Sequence, residues 1–163
     1  MLYTILKKIA WILFKIWNRL EVIGSENIPA SGRLIIVANH VSVVDPIVLG
    51  VASPRQVRFM AKSELFNIPI LKKLIAALGA FPVEREKTDF QAVKNALRVL
   101  GNEEVLGIFP QGGTKKNAAN IDFRSGTAAI ALKSRSTILP AAIIGTGDPI
   151  KTLFFGKIII HFG

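Results

Sequence analysis

Residues 34–46 read LIIVANHVSVVDP, and the first five of them decide the fold class. Leu34, Ile35, Ile36, Val37 and Ala38 form a short continuous apolar run, which is what a strand buried on both faces needs. The run stops at Asn39-His40. Asp45-Pro46 then reads as a helix start, with Asp45 as N-cap and Pro46 at the first helical position. Upstream, Leu20–Ile23 reads as a strand that leads into the loop GSENIP at 24–29. Downstream, Val57–Ala61 reads as a strand. Ile68–Leu78 reads as a helix with Lys72 and Lys73 outward and Ile70, Leu71, Leu74, Ile75 and Leu78 inward. Gly79–Val83 is the next strand expected. Thr88–Leu100 has helical period, with Phe90, Val93, Ala96, Leu97 and Leu100 on one side. Glu104–Phe109 (strand), Gly126–Ser134 (helix), Ile138–Ile144 (strand) and Lys157–Phe162 (strand) complete the series. Strands alternating with helices imply an α/β fold, a largely parallel central sheet flanked by helices.

The N-terminal segment, MLYTILKKIAWILFKIWNRL, carries Lys7, Lys8, Lys15 and Arg19 too close together for a membrane span or a signal peptide. On a helical wheel Leu2, Ile5, Leu6, Ile9, Leu13, Ile16 and Trp17 share one broad face. Thr4, Lys7, Lys8, Lys15 and Asn18 occupy the other. Basic residues opposite Leu, Ile and Trp describe an amphipathic helix lying in the headgroup layer of a bilayer. The other reading of this pattern is a helix packed on its own domain or on a partner. The expected division is therefore a membrane-association helix at 1–19 and an α/β domain at 20–163.

The 163 residues fit one domain with a sizeable core. Apolar residues make up 50% of the chain and the mean hydropathy is +0.43. Against 11 acidic residues stand 21 Lys and Arg, a net charge of +10 that calls for an anionic partner. Nucleic acid fits poorly, because most aromatics sit in apolar runs and are not interleaved with the basic residues. The absence of cysteine excludes disulfides and thiolate chemistry, and the two histidines, His40 and His161, are too far apart to suggest a metal site.

Three polar loops follow expected strands: Asn39–Asp45, Glu84–Lys87 and Pro110–Asn120. Loops beyond the carboxyl ends of strands are where α/β sheets gather their chemistry. His40 is a candidate general base, and Asp45, five residues on, is placed to fold back and fix its tautomer. The plainer readings are an N-cap for Asp45 and a turn histidine for His40. Arg85 suits bidentate phosphate binding, or else pairs with Glu84 or Glu86. In Phe109–Lys116, FPQGGTKK, Gly112 and Gly113 let backbone N–H groups converge on an anion, beside Lys115 and Lys116. Its spacing is not that of a nucleotide-binding P-loop.

Together these segments resemble the glycerolipid acyltransferase family, which includes the lysophosphatidic acid acyltransferases. The family's four ordered blocks are NHxSxxD, a GxFxxxR-type block, FPEGTR and an apolar block near a Pro. They align with Asn39–Asp45, Gly79–Arg85, Phe109–Lys115 and Ile138–Ile143 around Pro140. The resemblance covers roughly residues 20–163. It implies that His40 is the base and Asp45 its orienting carboxylate. It also implies that Asn39, Ser42, Arg85, Gln111, Gly112, Gly113, Thr114 and Lys115 contact substrate. The implied reaction is direct attack of a hydroxyl of 1-acyl-glycerol-3-phosphate on an acyl thioester, giving phosphatidic acid. The implied partners are acyl-CoA or acyl-carrier protein as co-substrate, the lysophosphatidic acid acceptor and an anionic phospholipid membrane. No cofactor, metal or nucleic acid is expected. The expected location is the cytoplasmic face of a membrane, held peripherally.

This chain departs from the family pattern in three ways. Gln111 stands where the family has Glu, an extra Gly lengthens that loop, and Lys115 replaces Arg. Family members also commonly continue beyond the equivalent of Gly163, so the domain is expected to be short at its C-terminus. Two alternatives stay open at this point: a non-catalytic lipid-binding member of the fold, and an acyltransferase for another lysolipid acceptor.

Overall fold

The structure is a computed structural model that describes residues 2–84, 90–111, 125–153 and 155–163. Along the chain run α1 (Leu2–Trp17), β1 (Glu21–Ile23), β2 (Leu34–Ala38), α2 (Asp45–Ala52), β3 (Val57–Lys62), α3 (Pro69–Ala77) and β4 (Phe81–Val83). There follow α4 (Phe90–Gly101), β5 (Val105–Ile108), α5 (Ser125–Ser134), β6 (Thr137–Ile144), α6 (Pro149–Leu153) and β7 (Ile159–Phe162). The described strands form one seven-stranded sheet in the order β1-β7-β6-β2-β5-β3-β4. β6, β2, β5, β3 and β4 are mutually parallel. β7 runs antiparallel to β6, and β1 runs parallel to β7, so this pair points opposite to the other five.

The apolar run at 34–38 lies at the middle of the sheet. Leu34, Ile36 and Ala38 face a cluster with Val48 and Leu49 of α2, while Ile35 faces a second cluster with Ala96 and Leu100 of α4 and Ile130 of α5. Burial on both faces explains why the strand has no polar alternation. Each fully buried Leu or Ile contributes roughly 1.5–3 kcal/mol. The second cover is incomplete. Ile138 and Ile144 of β6 and Ile23 of β1 are exposed on the face opposite Leu139 and Ile143.

α1 packs on its own domain along one of two apolar stripes. Ala10 and Phe14 pack against the core, and the helix lies along α2. Lys7, expected on the polar face, instead points inward and donates to the carbonyl of Ser53. Ser53 caps the C-terminus of α2, where a cation is favoured. Burial lowers the Lys7 pKa. The stripe Leu2, Ile5, Ile9, Leu13 and Ile16 is exposed. Among the described residues no helix is long and apolar enough to cross a membrane.

Two other expectations need correction. Ile70 and Leu74 of α3 and Phe90 of α4 were expected inward, yet all three are exposed, and α3 buries none of its residues. α6 was not foreseen, since a five-residue helix offers too few turns for a period.

Candidate active site

Three loops leave the carboxyl ends of three adjacent strands, β6, β2 and β5, and meet around one imidazole. His40 lies two residues past β2, Phe109 and Gln111 follow β5, and Gly145-Thr146 follow β6. His40 Nδ1 is 3.0 Å from Asp45 Oδ2. The same oxygen accepts the backbone N–H groups of Val41 and Ser42, each at 2.7 Å. Asp45 is therefore not the N-cap. That position belongs to Val44, and Asp45 is the first helical residue, its carboxylate turned back over the loop. Two loop N–H groups and an imidazole N–H give it more donors than a helix end would.

Asp45 is fully buried. Burial alone raises a carboxyl pKa, but hydrogen bonds from His40 and the N–H groups of Ser42 and Val41, together with the polar Thr146 hydroxyl, outweigh it and hold Asp45 below the usual carboxylate range. An ionised carboxylate only accepts, so Nδ1 carries a proton, and no described residue bonds Nε2. Phe109 stacks on the His40 ring with centroids 4.4 Å apart and planes at 26°, and Phe59 stacks behind Phe109 at 6.0 Å and 9°. The ring is thus fixed in its plane by an aromatic stack and about its axis by Asp45. It is an imidazole held in one orientation, as a general base requires.

The loop itself is pinned from two sides. Asn39 Nδ2–H donates to the Ile143 carbonyl at 2.8 Å, and Asn39 Oδ1 accepts the Ile143 N–H at 2.7 Å, so its amide completes the ladder to β6. Gln111 Oε1 accepts the backbone N–H of His40 at 2.5 Å. An amide oxygen and a carboxylate oxygen both accept, so Gln here makes the contact that the family Glu is able to make. Gln111 Nε2 is buried without a hydrogen-bond partner among the described residues. Ser42 enters the site through its backbone N–H.

Arg85, Gly112, Gly113, Thr114 and Lys115 lie outside the described residues. The carboxyl end of β4, from which Arg85 is two residues away, lies three strand spacings from β2, about 14 Å.

Thr146 was not singled out from the sequence. It is fully buried, and its hydroxyl helps hold the Asp45 pKa down, although no hydrogen bond of ordinary geometry reaches either Thr146 Oγ1 or Asp45 Oδ1. The only sequence signal was a Gly-Thr pair ending a strand. Gly145 has φ +95°, and a Cβ there would lie 2.1 Å from the Lys157 carbonyl oxygen. Only glycine makes the turn that presents Thr146 to the carboxylate.

The Acyltransferase family model matches residues 19–144, most of the chain. The chain belongs to the acyltransferase family. The 1-acyl-sn-glycerol-3-phosphate acyltransferase of Bacillus subtilis is 29% identical over 93% of this chain and 76% of its own length. The enzyme of that name from Streptococcus pneumoniae is 33% identical over 89% of this chain and 55% of its own. The crystal structure of the 1-acyl-sn-glycerophosphate acyltransferase PlsC from Thermotoga maritima matches with a TM-score of 0.76 and 28% identity. That match covers 99% of this chain and 67% of the other. The acyltransferase match contains His40, Asp45 and Gln111. It ends two residues before Thr146, and it excludes all of α1 and the whole β6–β7 connection.

Proposed function

We propose that this acyltransferase moves a fatty acyl group from an acyl-CoA or acyl-carrier-protein thioester to the free hydroxyl of 1-acyl-glycerol-3-phosphate, giving phosphatidic acid. The observation that carries the reading is the His40–Asp45 pair, with Nε2 unbonded among the described residues. The names of the relatives supply the acceptor. The acceptor hydroxyl gives its proton to His40 Nε2 as its oxygen bonds to the thioester carbon. Asp45 steadies the imidazolium. Collapse breaks the C–S bond, and the thiolate leaves with the proton from His40. No enzyme nucleophile is required, in agreement with a chain that has no cysteine. Arg85 and the loop 111–115 would hold the acceptor phosphate, and N–H groups at Gly112 and Gly113 the oxyanion. No further cofactor takes part.

The acceptor and product are lipids, and the reaction would run at the cytoplasmic face of an anionic membrane with α1 lying in the headgroup layer. The exposed stripe Leu2, Ile5, Ile9, Leu13 and Ile16 supports that placement.

The test is acyl transfer from palmitoyl- and oleoyl-CoA, then from acyl-carrier protein, to lysophosphatidic acid on vesicles. Wild type is expected to form phosphatidic acid, and His40→Ala to lose roughly a thousandfold or more in kcat. Equal turnover by the two proteins would overturn the mechanism. No product with any donor or lysolipid acceptor would leave a non-catalytic lipid-binding protein as the better reading.

A further inference from the structure

The end of α1 is fastened to the β6–β7 connection by four side-chain hydrogen bonds to backbone carbonyls. Trp17 Nε1–H reaches Leu153 at 2.7 Å, and Arg19 reaches Phe155 at 3.3 Å. Asn18 Nδ2 donates to both Thr152 and Gly156, at 2.8 and 3.1 Å. The Trp17 ring stacks on Phe155 with centroids 4.4 Å apart and planes at 16°. On the other side Asp148 Oδ1 accepts the N–H groups of Ile150 and Lys151 at 3.0 and 3.2 Å. The segment is thus held in place from both ends. Yet it keeps Ile150, Leu153 and Phe155 at 70, 63 and 53% exposure. Apolar side chains held outward by a fixed backbone mark a contact surface, because a loop free to move would fold them in.

We propose that Ile150, Leu153 and Phe155 form a second bilayer contact, seated together with the last turn of α1 in the headgroup layer of an anionic phospholipid membrane. The proposal rests on the bilayer reading of α1 given above and extends it to an element outside the family match. Continuity is one argument, since Ile16 and Trp17 are exposed beside Leu153 and Phe155. Charge is the other. Residues 11–21 and 145–157 contain Lys15, Arg19, Lys151 and Lys157 against Glu21 and Asp148, and the Lys157–Glu21 ion pair at 2.6 Å leaves Lys15, Arg19 and Lys151 against Asp148. Trp, Phe and Ile flanked by Lys and Arg suit the boundary between acyl chains and anionic headgroups. The placement also serves the site. The connection leaves β6 through Thr146, which borders Asp45, so a membrane contact that starts at Ile150 brings the His40–Asp45 pair to the lipid surface.

The test is sedimentation with phosphatidylglycerol–phosphatidylcholine vesicles of the wild type, Ile150→Ser/Leu153→Ser, Leu13→Ser/Ile16→Ser and Lys151→Glu. The 150/153 variant is expected to keep the wild-type unfolding temperature and to lose about tenfold or more in vesicle affinity. Lys151→Glu should weaken binding to these vesicles and leave binding to pure phosphatidylcholine vesicles unchanged. If the 13/16 variant loses affinity while the 150/153 and Lys151→Glu variants keep it, the second contact is refuted and the α1 reading stands. A wild type that does not sediment refutes both. A dimeric wild type that the 150/153 pair renders monomeric, with unchanged vesicle affinity, assigns the patch to a second copy of this chain and refutes the proposal.

Discussion

Asp45 shows how much one side chain does here, because a single carboxylate oxygen takes three donors in a fully buried place. In Asp45→Asn the side chain, if it keeps its place, turns either an N–H group toward Val41 and Ser42 or a carbonyl that no longer carries charge. We expect kcat to fall by about a thousandfold or more, as when the carboxylate of a catalytic triad is neutralised. The pH dependence of stability follows from the same contacts. Asp45 has a lower pKa folded than unfolded, so it contributes stability that is present above the ordinary carboxylate value, about 3.9, and is lost as pH falls through the folded value. Acid unfolding of wild type should therefore be steeper below about pH 4 than that of Asp45→Asn. Equal slopes by circular dichroism would show that folding leaves the Asp45 pKa unshifted. Thr146 is expected to act through Asp45. Thr146→Val, which removes the buried hydroxyl that favours the ionised carboxylate, should lower kcat by about tenfold, with KM unchanged and Thr146→Ser restoring it. A Ser variant as slow as Val would point to packing instead.

At the scale of elements, the sequence showed the parts with strong patterns and missed those made by contacts distant along the chain. The run at 34–38 revealed a central strand because burial on both faces leaves no room for polar residues, and the His40–Asp45 spacing revealed the dyad because five residues close one turn. The role of Asn39 was not legible, since its partner Ile143 is 104 residues away. Nor was the direction of α1. Two apolar stripes on one helix leave the choice of inner face to Ala10, Phe14 and the reach of Lys7 to Ser53. Thr146 was hidden for a similar reason, because only the sheet order brings β6 beside β2. The turn at Gly145 is the element that joins these facts. Gly145→Ala places a Cβ against the Lys157 backbone at positive φ, and we expect a loss of roughly 2–3 kcal/mol in urea unfolding together with reduced turnover. An unchanged midpoint would mean that the connection relaxes without cost.

For the whole molecule, charge and shape lead to the same surface. The chain carries +10, and its exposed apolar stripe on α1 and the projecting Ile150, Leu153 and Phe155 are both accompanied by Lys or Arg. β1 runs against the main sheet, so its first residue, Glu21, stands level with Ile159 and, through β7, with Ile144 at the carboxyl end of β6. The end of α1 is therefore brought to the edge of the sheet that holds His40. The proposed acceptor is a lipid, which must be met at the surface in which it sits. The electrostatic and apolar parts of that contact separate by salt. Attraction of Lys and Arg to anionic headgroups is screened as the Debye length falls from about 10 Å at 0.1 M to about 3 Å at 1 M, while apolar insertion is not. Affinity for phosphatidylglycerol-rich vesicles should drop by about tenfold or more across that range and level off at a residual, salt-insensitive binding. The residual belongs to Ile, Leu, Trp and Phe, so it should vanish in a variant that combines Leu13→Ser, Ile16→Ser, Ile150→Ser and Leu153→Ser. Loss of all binding at high salt in the wild type would make the contact purely electrostatic and leave the exposed apolar residues without a role at the membrane.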